Sequence, residues 1–379
     1  TGVNRDQTLR CRNYPGPSSP VSSSKFHYSR FSKQQNLSPP LSFSLCKSSS
    51  GCWSSGFGFG IVMSNAGDFG LAYWLRWQVI VCALIILTPL VVAVFLLRRP
   101  RAQNLRSGDL WIPCWRNLHP LWLLLYRALV FLSMASMLYR VTARFGVTVF
   151  FFYTQWTFVL VMAYFAVGTI LSAYGCWVCS KKSSTKSLEV EEPLRSGEKE
   201  VGLKNGATVK AKDDSDTSMR KSYYTNGDIP RIWGYLMQLL YQTSAGASMQ
   251  TDIVFWCVLV PLQANKTFKL DLLIGSMHSL NALFLAVDTG MNNLPFSWLG
   301  FLYFVLWGCL YISFQWAIHL CGVSWWPYPF LDLSNPWAPL WYVGMAVIHV
   351  PSYGIYGLVV MAKLWIGSTF FPHAFMVHR

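Results

Sequence analysis

Four polar residues stand inside one apolar run of the chain, LLIGSMHSLNALFLAVDTGMNN: His278, Asn281, Asp288 and Asn292. An imidazole and a carboxylate exchange protons, and two carboxamides supply the donors and acceptors that hold such groups in place. At 100° per residue the four fall within an arc of about 80°, so one seam of an otherwise lipid-compatible helix is polar. An ionisable group at bilayer depth costs roughly 2.5 to 3.5 kcal/mol or more, so this seam faces protein and has either a partner or a use. It is read either as a structural tie between helices or as part of a site.

The elements that must position the seam follow from composition. The chain has 379 residues, 53% hydrophobic, 16% aromatic and only 12% charged, and its mean hydropathy is +0.32. A soluble domain carries about twice that share of charge. Several apolar runs are about 20 residues long, enough to cross a hydrocarbon core of roughly 30 Å. The expected fold is all-α, a polytopic transmembrane helix bundle of about seven spans. These are Trp77 to Leu97, Leu121 to Tyr139, Phe150 to Cys176, Ile232 to Leu262, Leu270 to Met291, Trp298 to Leu320 and Leu340 to Trp365. The fourth is polar in its middle (YQTSAGASMQTD), which points to a kinked, tilted or broken helix. Ser244, Gly246 and Ser248 in that stretch suit close helix contact.

The remaining segments sort by composition. Residues 1–62 are Ser-, Pro- and Arg/Lys-rich with Asp6 as the sole acid, a disordered composition that also resembles a transit peptide. Met63 is the first methionine, and the expectation is that this tail is absent from the mature protein. Residues 63–179 hold spans one to three, 180–230 read as a disordered charged cytosolic loop, and 231–379 hold spans four to seven with the WWPYPFLDL loop. The net charge of +15 resides in tails and loops between apolar runs. Membrane topology and anionic headgroups explain it, and no nucleic-acid module is present. Ten cysteines show no disulfide framework. Cys176 and Cys179 form one CxxC at a helix end, which fits palmitoylation or packing; with no second ligand pair, no metal is expected, and no cofactor motif occurs.

Orientation is read from Lys and Arg. Loop one carries Arg98, Arg99, Arg101, Arg106 and Arg116, and loop three is basic from Lys181 to Lys221, whereas loop two has Arg140 and Arg144 and loop four Lys266 and Lys269. Loops one and three are therefore cytosolic, the N-terminus from Met63 lumenal or external, and the C-terminus cytosolic. The sequon Asn265-Lys266-Thr267 then falls on the lumenal side. With that topology, Thr157 and His278 both lie roughly 10 to 12 Å from the lumenal ends of their spans, and Asp252 and His349 roughly 15 Å. His319 closes span six near that surface. Polar seams also run along span three (Thr154, Thr157, Tyr164), span four (Gln238, Gln242, Asp252) and span seven (His349, Tyr353, Tyr356). Converging seams make a polar interior, as in a substrate or ion site or in a hydrogen-bonded core. Arg127 sits mid-span, either paired across the bundle or snorkelling to the cytosolic face.

The segment WAIHLCGVSWWPYPFLDL, with GSMHSL around His278 and QWTF around Thr157, resembles the androgen-induced gene product family, which includes the androgen-dependent TFPI-regulating protein. The most specific part is His319, Gly322, Trp326, Tyr328, Pro329, Phe330 and Leu331, and the resemblance covers roughly Trp156 to the C-terminus. The family consists of multi-pass membrane threonine hydrolases of fatty acid esters of hydroxy fatty acids. It implies a catalytic threonine before a phenylalanine, matched by Thr157-Phe158, and a histidine after a methionine, matched by Met277-His278. Thr154 is the fallback nucleophile, and Trp156 departs from the aliphatic residue expected before the threonine. The expected reaction is attack of Thr157 on a lipid ester, with His278 as base and an acyl-threonine intermediate. Asp252 is the candidate third member or a structural partner, and His319 and Tyr328 are candidates for shaping the mouth or for structure alone. Expected partners are a lipid-ester substrate and membrane lipids, in the endoplasmic reticulum or plasma membrane. Competing readings are a noncatalytic lipid-binding or scaffold member of that family, a transporter or channel, and a seven-span receptor.

The topology is tested in sealed microsomes. Protease should clip the Lys181 to Lys221 segment from the cytosolic side and leave Lys266 and Lys269 protected; the reverse pattern inverts the assignment.

Overall fold

The computed structural model describes residues 71–98, 106–189, 231–263, 272–323 and 325–376, all within the compact unit Ser55–Arg379. The 1–62 tail, the Lys/Arg-rich part of loop three beyond Glu189 and the sequon at Asn265 lie outside them. Seven long helices occupy the seven expected positions: α1 Trp77–Leu97, α2 Pro120–Phe145, α3 Tyr153–Glu189, α4 Arg231–Val254, α5 Leu272–Met291, α6 Gly300–Leu320 and α7 Ala338–Phe370. A four-residue helix, Leu71–Trp74, precedes α1. Five of the seven, α1, α2, α3 to Lys181, α6 and α7, are long and apolar enough to cross a membrane. The chain is a multi-pass integral membrane protein.

α4, which is not among those five, is enclosed by its neighbours. α4 touches α3, α5, α6 and α7, and nearly every side chain from Met237 to Gln250 is buried. A helix covered on all sides can hold glutamines, serines and threonines provided its neighbours satisfy them. Gly246 lets α6 approach: a methyl group on it would stand 2.3 Å from the Phe304 ring. α1, by contrast, is studded with exposed Ile, Leu and Val side chains, the lipid-facing surface expected of a peripheral span.

Local chemistry accounts for the helix ends. Pro120 starts α2, where its missing N–H is not needed, and His119 Nδ1 accepts the Leu121 N–H at 3.2 Å. α6 stops at Gly322, whose φ of +96° only glycine adopts easily, while the Val323 N–H reaches back to the Ile318 carbonyl at 3.2 Å. The irregularity expected in span four is real but lies past its polar middle. α4 is regular to Val254 and then widens into a π-helical turn, Phe255–Leu259, before a last short helix, Val260–Gln263. Pro261 has no N–H to return to the Cys257 carbonyl, and the Val260 N–H bonds five residues back to Phe255 instead. Span three also outruns its expected end at Cys176 and stays helical to Glu189. From Trp177 to Glu189 no proline or glycine interrupts the backbone, so the helix continues after the apolar run is spent. Residues 180–189, read from composition as the start of a disordered loop, are thus helix.

Connections close the bundle at two ends. At one, Cys114, Arg116 and Met376 exchange backbone bonds with Met291, Ala374 and Cys114 at 2.7 to 2.9 Å. At the other, Tyr311 and Gln315 of α6 both donate to the Phe151 carbonyl, and the 321–337 loop folds inward, burying Tyr328, Phe330, Leu331 and Leu333.

Near the first end, Arg127 of α2 is paired across the bundle, not snorkelling. Its Nε lies 2.8 Å from Asp288 Oδ1 on α5, with both side chains fully buried. Nη1 donates to the Leu110 carbonyl and to Ser172 Oγ, each at 2.9 Å, and Asp288 also accepts from Asn292 Nδ2 at 2.7 Å and from the Tyr164 hydroxyl. Removing one partner of such a pair leaves the other charge stranded. Arg127→Leu or Asp288→Leu should each destabilise by about 3 to 5 kcal/mol, and the double variant by clearly less than the sum. Unfolding in detergent micelles reads this out; additive losses would mean that the two residues act separately.

Candidate functional site

The opposite end of the bundle holds a cavity of about 60 Å³ under the 321–337 loop. Its polar wall comes from Tyr153 and Thr154 at the start of α3, Gln250 and Thr251 on α4, His278 on α5 and His349 on α7, with Tyr328 from the loop. Val254, Leu259, Ile312, Phe330, Leu331 and Met345 supply an apolar remainder. Phe255 and Leu259 of the π-helical turn flank this space, so the disrupted stretch of α4 lies beside the site.

α3 and α5 meet at this level. Gln155 Nε2 contacts Met277 Sδ at 3.9 Å, which sets Thr157 and His278, two and one residues from that contact, at the same end of the bundle. No hydrogen bond joins the two. Thr157 is fully buried behind the cavity wall, and its Oγ1 lies 3.2 Å from the Thr251 hydroxyl. Thr251 has one proton for two acceptors, the other being the Ala247 carbonyl at 2.7 Å. The threonines that line the cavity are Thr154 and Thr251.

His278 is 6% exposed and stacks face to face on Phe255, with centroids 3.6 Å apart and planes 9° apart. Its Nδ1 is buried without a hydrogen-bond partner among the described residues. Asp252, the candidate third member, does not bond to that nitrogen; it lies off the cavity wall with its own Oδ1 unpartnered. The sequence-derived residues therefore share one region without forming a bonded nucleophile, base and orienting acid.

His319 and Tyr328 have separate roles. His319 is buried off the cavity wall, its Nδ1 2.7 Å from the Gln315 carbonyl, and its ring stacks on Trp326 with centroids 3.5 Å apart. It holds the loop. Tyr328 lines the cavity as part of the plug, stacked on Phe330 at 5.0 Å and edge-on to Phe152 at 5.7 Å. Its hydroxyl lies 3.5 Å from Thr154 Oγ1. Burial pushes the Tyr328 hydroxyl above its ordinary range, so it keeps its proton and can donate into the site.

Sequence reasoning left Tyr153, Gln250 and Thr251 out of the site, and placed His349 only in a polar seam. Gln250 and Thr251 stand beside Asp252 in SMQTD, so a signal existed, but a seam drawn through Gln238, Gln242 and Asp252 favoured the acid. Gln250 bridges the site: its Oε1 accepts from the Tyr153 hydroxyl at 3.3 Å, and its Nε2 lies 3.3 Å from His349 Nδ1.

If the loop is the plug, its aromatic ring and not its hydroxyl keeps the cavity shut. Tyr328→Phe should change stability by no more than about 1 kcal/mol, whereas Tyr328→Ala should cost roughly 3 to 5 kcal/mol. In a Thr154→Cys background, Tyr328→Ala should also expose the new thiol to a small maleimide; unchanged reactivity would mean that the loop is not the barrier.

No protein-family model, no curated protein and no solved structure matches this chain, so the functional reading rests on the residues of this site and on the motif resemblance.

Proposed function

We propose that this chain is an integral membrane lipid-ester hydrolase that uses a threonine nucleophile and a histidine base within the bilayer. The observation that supports it most is an apolar cavity walled by Thr154, Thr251, His278 and His349, with Thr157 directly behind Thr251. A hydroxyl is a weak nucleophile until a base takes its proton, and imidazole does that near neutral pH. Thr157 is assigned as nucleophile and His278 as base, following the Thr157-Phe158 and Met277-His278 matches.

In this scheme the Thr157 proton passes to His278 as Oγ1 bonds to the ester carbonyl carbon. The tetrahedral intermediate collapses, the alkoxide leaves with the proton from the imidazolium, and an acyl-threonine remains. Water then gives a proton to His278 and its oxygen to the acyl carbon, releasing the acid and restoring the threonine. Donors such as the Tyr328 and Tyr153 hydroxyls suit the oxyanion of each intermediate. Thr157 must turn past Thr251 to meet its base; catalytic hydrogen bonds in unliganded sites are often loose in this way. The Lys/Arg bias orients the cavity end toward the lumen or exterior, in the endoplasmic reticulum or plasma membrane, where water is at hand.

One observation favours a second reading, a noncatalytic neutral-lipid binder: Thr157 is buried and bonded to Thr251, while His278 has no orienting partner. One set of variants separates the two. Thr157→Val and His278→Ala should each abolish ester turnover and labelling by a fluorophosphonate probe, with the double variant little worse than either alone. Thr157→Ser should retain some activity and Thr154→Ala a measurable fraction. Turnover that survives in well-folded Thr157→Val but disappears in Thr154→Val or Thr251→Val moves the nucleophile to the cavity wall. Parent protein with no turnover of any neutral ester establishes the binding reading.

A further inference from the structure

The polar groups that wall the cavity are largely spent on one another and on nearby carbonyls. Gln250 lies between the Tyr153 hydroxyl and His349 Nδ1, 3.3 Å from each, and that nitrogen also lies 2.7 Å from the Met345 carbonyl. The other edge of the His349 ring packs against α6, where a methyl group on Gly308 would stand 2.6 Å from Nε2. Thr251 donates to the Ala247 carbonyl at 2.7 Å, the Tyr311 hydroxyl donates to the Phe151 carbonyl at 2.9 Å, and the Thr154 and Tyr328 hydroxyls face each other at 3.5 Å. Of the fully buried polar side-chain atoms of the wall, only His278 Nδ1 has no partner among the described residues.

What remains to meet a ligand is mostly hydrocarbon. Val254 and Leu259 supply it from α4 and its π-helical turn, Ile312 from α6, Met345 from α7, and Phe330 and Leu331 from the loop. No Lys, Arg, Asp or Glu is among the residues that line the space, so a phosphate, ammonium or carboxylate group would lose its hydration with no countercharge to replace it. Volume sets a second limit. A cavity of about 60 Å³, at roughly 10 to 15 Å³ for each water-sized occupant, takes about four to six such groups, and a methylene is close to water in size.

We infer that this cavity binds a short hydrocarbon chain, about four to six carbons long, of an uncharged lipid. Such a chain asks nothing of a wall whose polar atoms are filled, and it gains dispersion contacts with side chains from three helices and the loop. A charged or many-hydroxyl headgroup would need partners that the wall does not offer. A longer chain has to push the wall apart, because residues from α3, α4, α5, α6 and α7 and from the loop all border the space. Met345 and Ile312, on neighbouring helices, are the side chains whose bulk sets the limit. The ligand class is a neutral lipid with one short acyl or alkyl arm. The inference concerns binding, and it stands or falls separately from ester turnover.

The test uses the full chain in lipid nanodiscs with tritiated alkyl diazirines of about five, eight and twelve carbons. Label on cavity peptides is divided by label on α1, whose exposed side chains face lipid, which corrects for partition of the probe into the bilayer. The ratio should be highest for the shortest probe and fall about tenfold for the longest, the strain of an overfilled cavity. A short probe ending in a carboxylate should give a ratio at least about tenfold below its uncharged counterpart. Met345→Ala, which removes bulk from the wall, should move the optimum to the middle probe, and Ile312→Trp should bring the shortest probe down to the level of the longest. Competition by dodecyl pentanoate identifies the chain as an acyl arm and competition by pentyl dodecanoate as an alkyl arm; displacement by neither overturns the inference. So does a ratio in the parent protein that stays flat or rises with chain length, equal labelling by the carboxylate probe, or an optimum that folded Met345→Ala leaves in place. Because the length series uses the parent protein, a variant that fails to fold does not remove the test.

Discussion

The bundle depends on one buried ion pair. Arg127 and Asp288 stand 161 positions apart in sequence and are fully enclosed. Desolvating both costs several kcal/mol per ion, recovered only if the geometry is good and the remaining donors and acceptors are filled. Here they are. The guanidinium spends its other donors on Leu110 and Ser172, and the carboxylate accepts from Tyr164 and Asn292. α2, α3, α5 and the segment before α2 are thereby joined at one point, and the rotation of α5 about its axis is set by where Asp288 must sit. His278 is ten residues along the same helix, roughly 15 Å away, so that rotation also turns its ring toward the cavity.

The two ends of α5 differ in how well their polar groups are paired. Around Asp288 the polar groups are joined in one network, and Tyr241, Thr289 and Tyr356 form another beside it, with hydroxyl contacts of 3.1 and 2.6 Å. Toward the other end the pairing thins out. Gln155 Oε1, Asp252 Oδ1, His278 Nδ1 and Asn281 Oδ1 are all buried with no partner. A stranded buried acceptor or donor costs about 1 to 3 kcal/mol, so a cluster of them marks a place where the fold is not optimised for its own stability. Unpartnered buried groups also occur elsewhere, as at Trp111 Nε1, Gln238 Oε1 and Ser244 Oγ, so it is the cavity and the π-helical turn beside His278 that direct attention to that end of the bundle.

Much of this was legible from the chain. Seven apolar or half-apolar runs gave seven helices because backbone in a bilayer must satisfy itself, and the α5 seam faces inward because its four residues share an arc of about 80°. His278, Asn281, Asp288 and Asn292 are all buried. The partner of Arg127 was not legible: periodicity describes each helix alone and says nothing about which helices meet. Nor did it resolve the threonines. Thr154 and Thr157 are three residues apart, about 60° around the helix, and so small a rotation decides which hydroxyl lines the cavity and which lies behind it. The extension of α3 was missed because polar composition was taken as the end of helix, although only Pro and Gly would have enforced one.

His349 illustrates a different limit. Its fixed setting comes from three things that no single stretch of sequence contains: a carbonyl one turn earlier on its own helix, a glycine on the neighbouring helix and an aromatic ring beside it. Each of them removes an alternative. The carbonyl excludes the other tautomer, Phe304 limits the ring's tilt, and Gly308 admits the ring against α6. His278 is buried too and stacks on Phe255, but among the described residues its Nδ1 meets no partner, which leaves that nitrogen uncommitted in the proposed scheme. The two histidines of the cavity thus differ through their neighbours and not through residue type: the Met345 carbonyl fixes the Nδ1 proton of His349, while among the described residues His278 Nδ1 meets no such group.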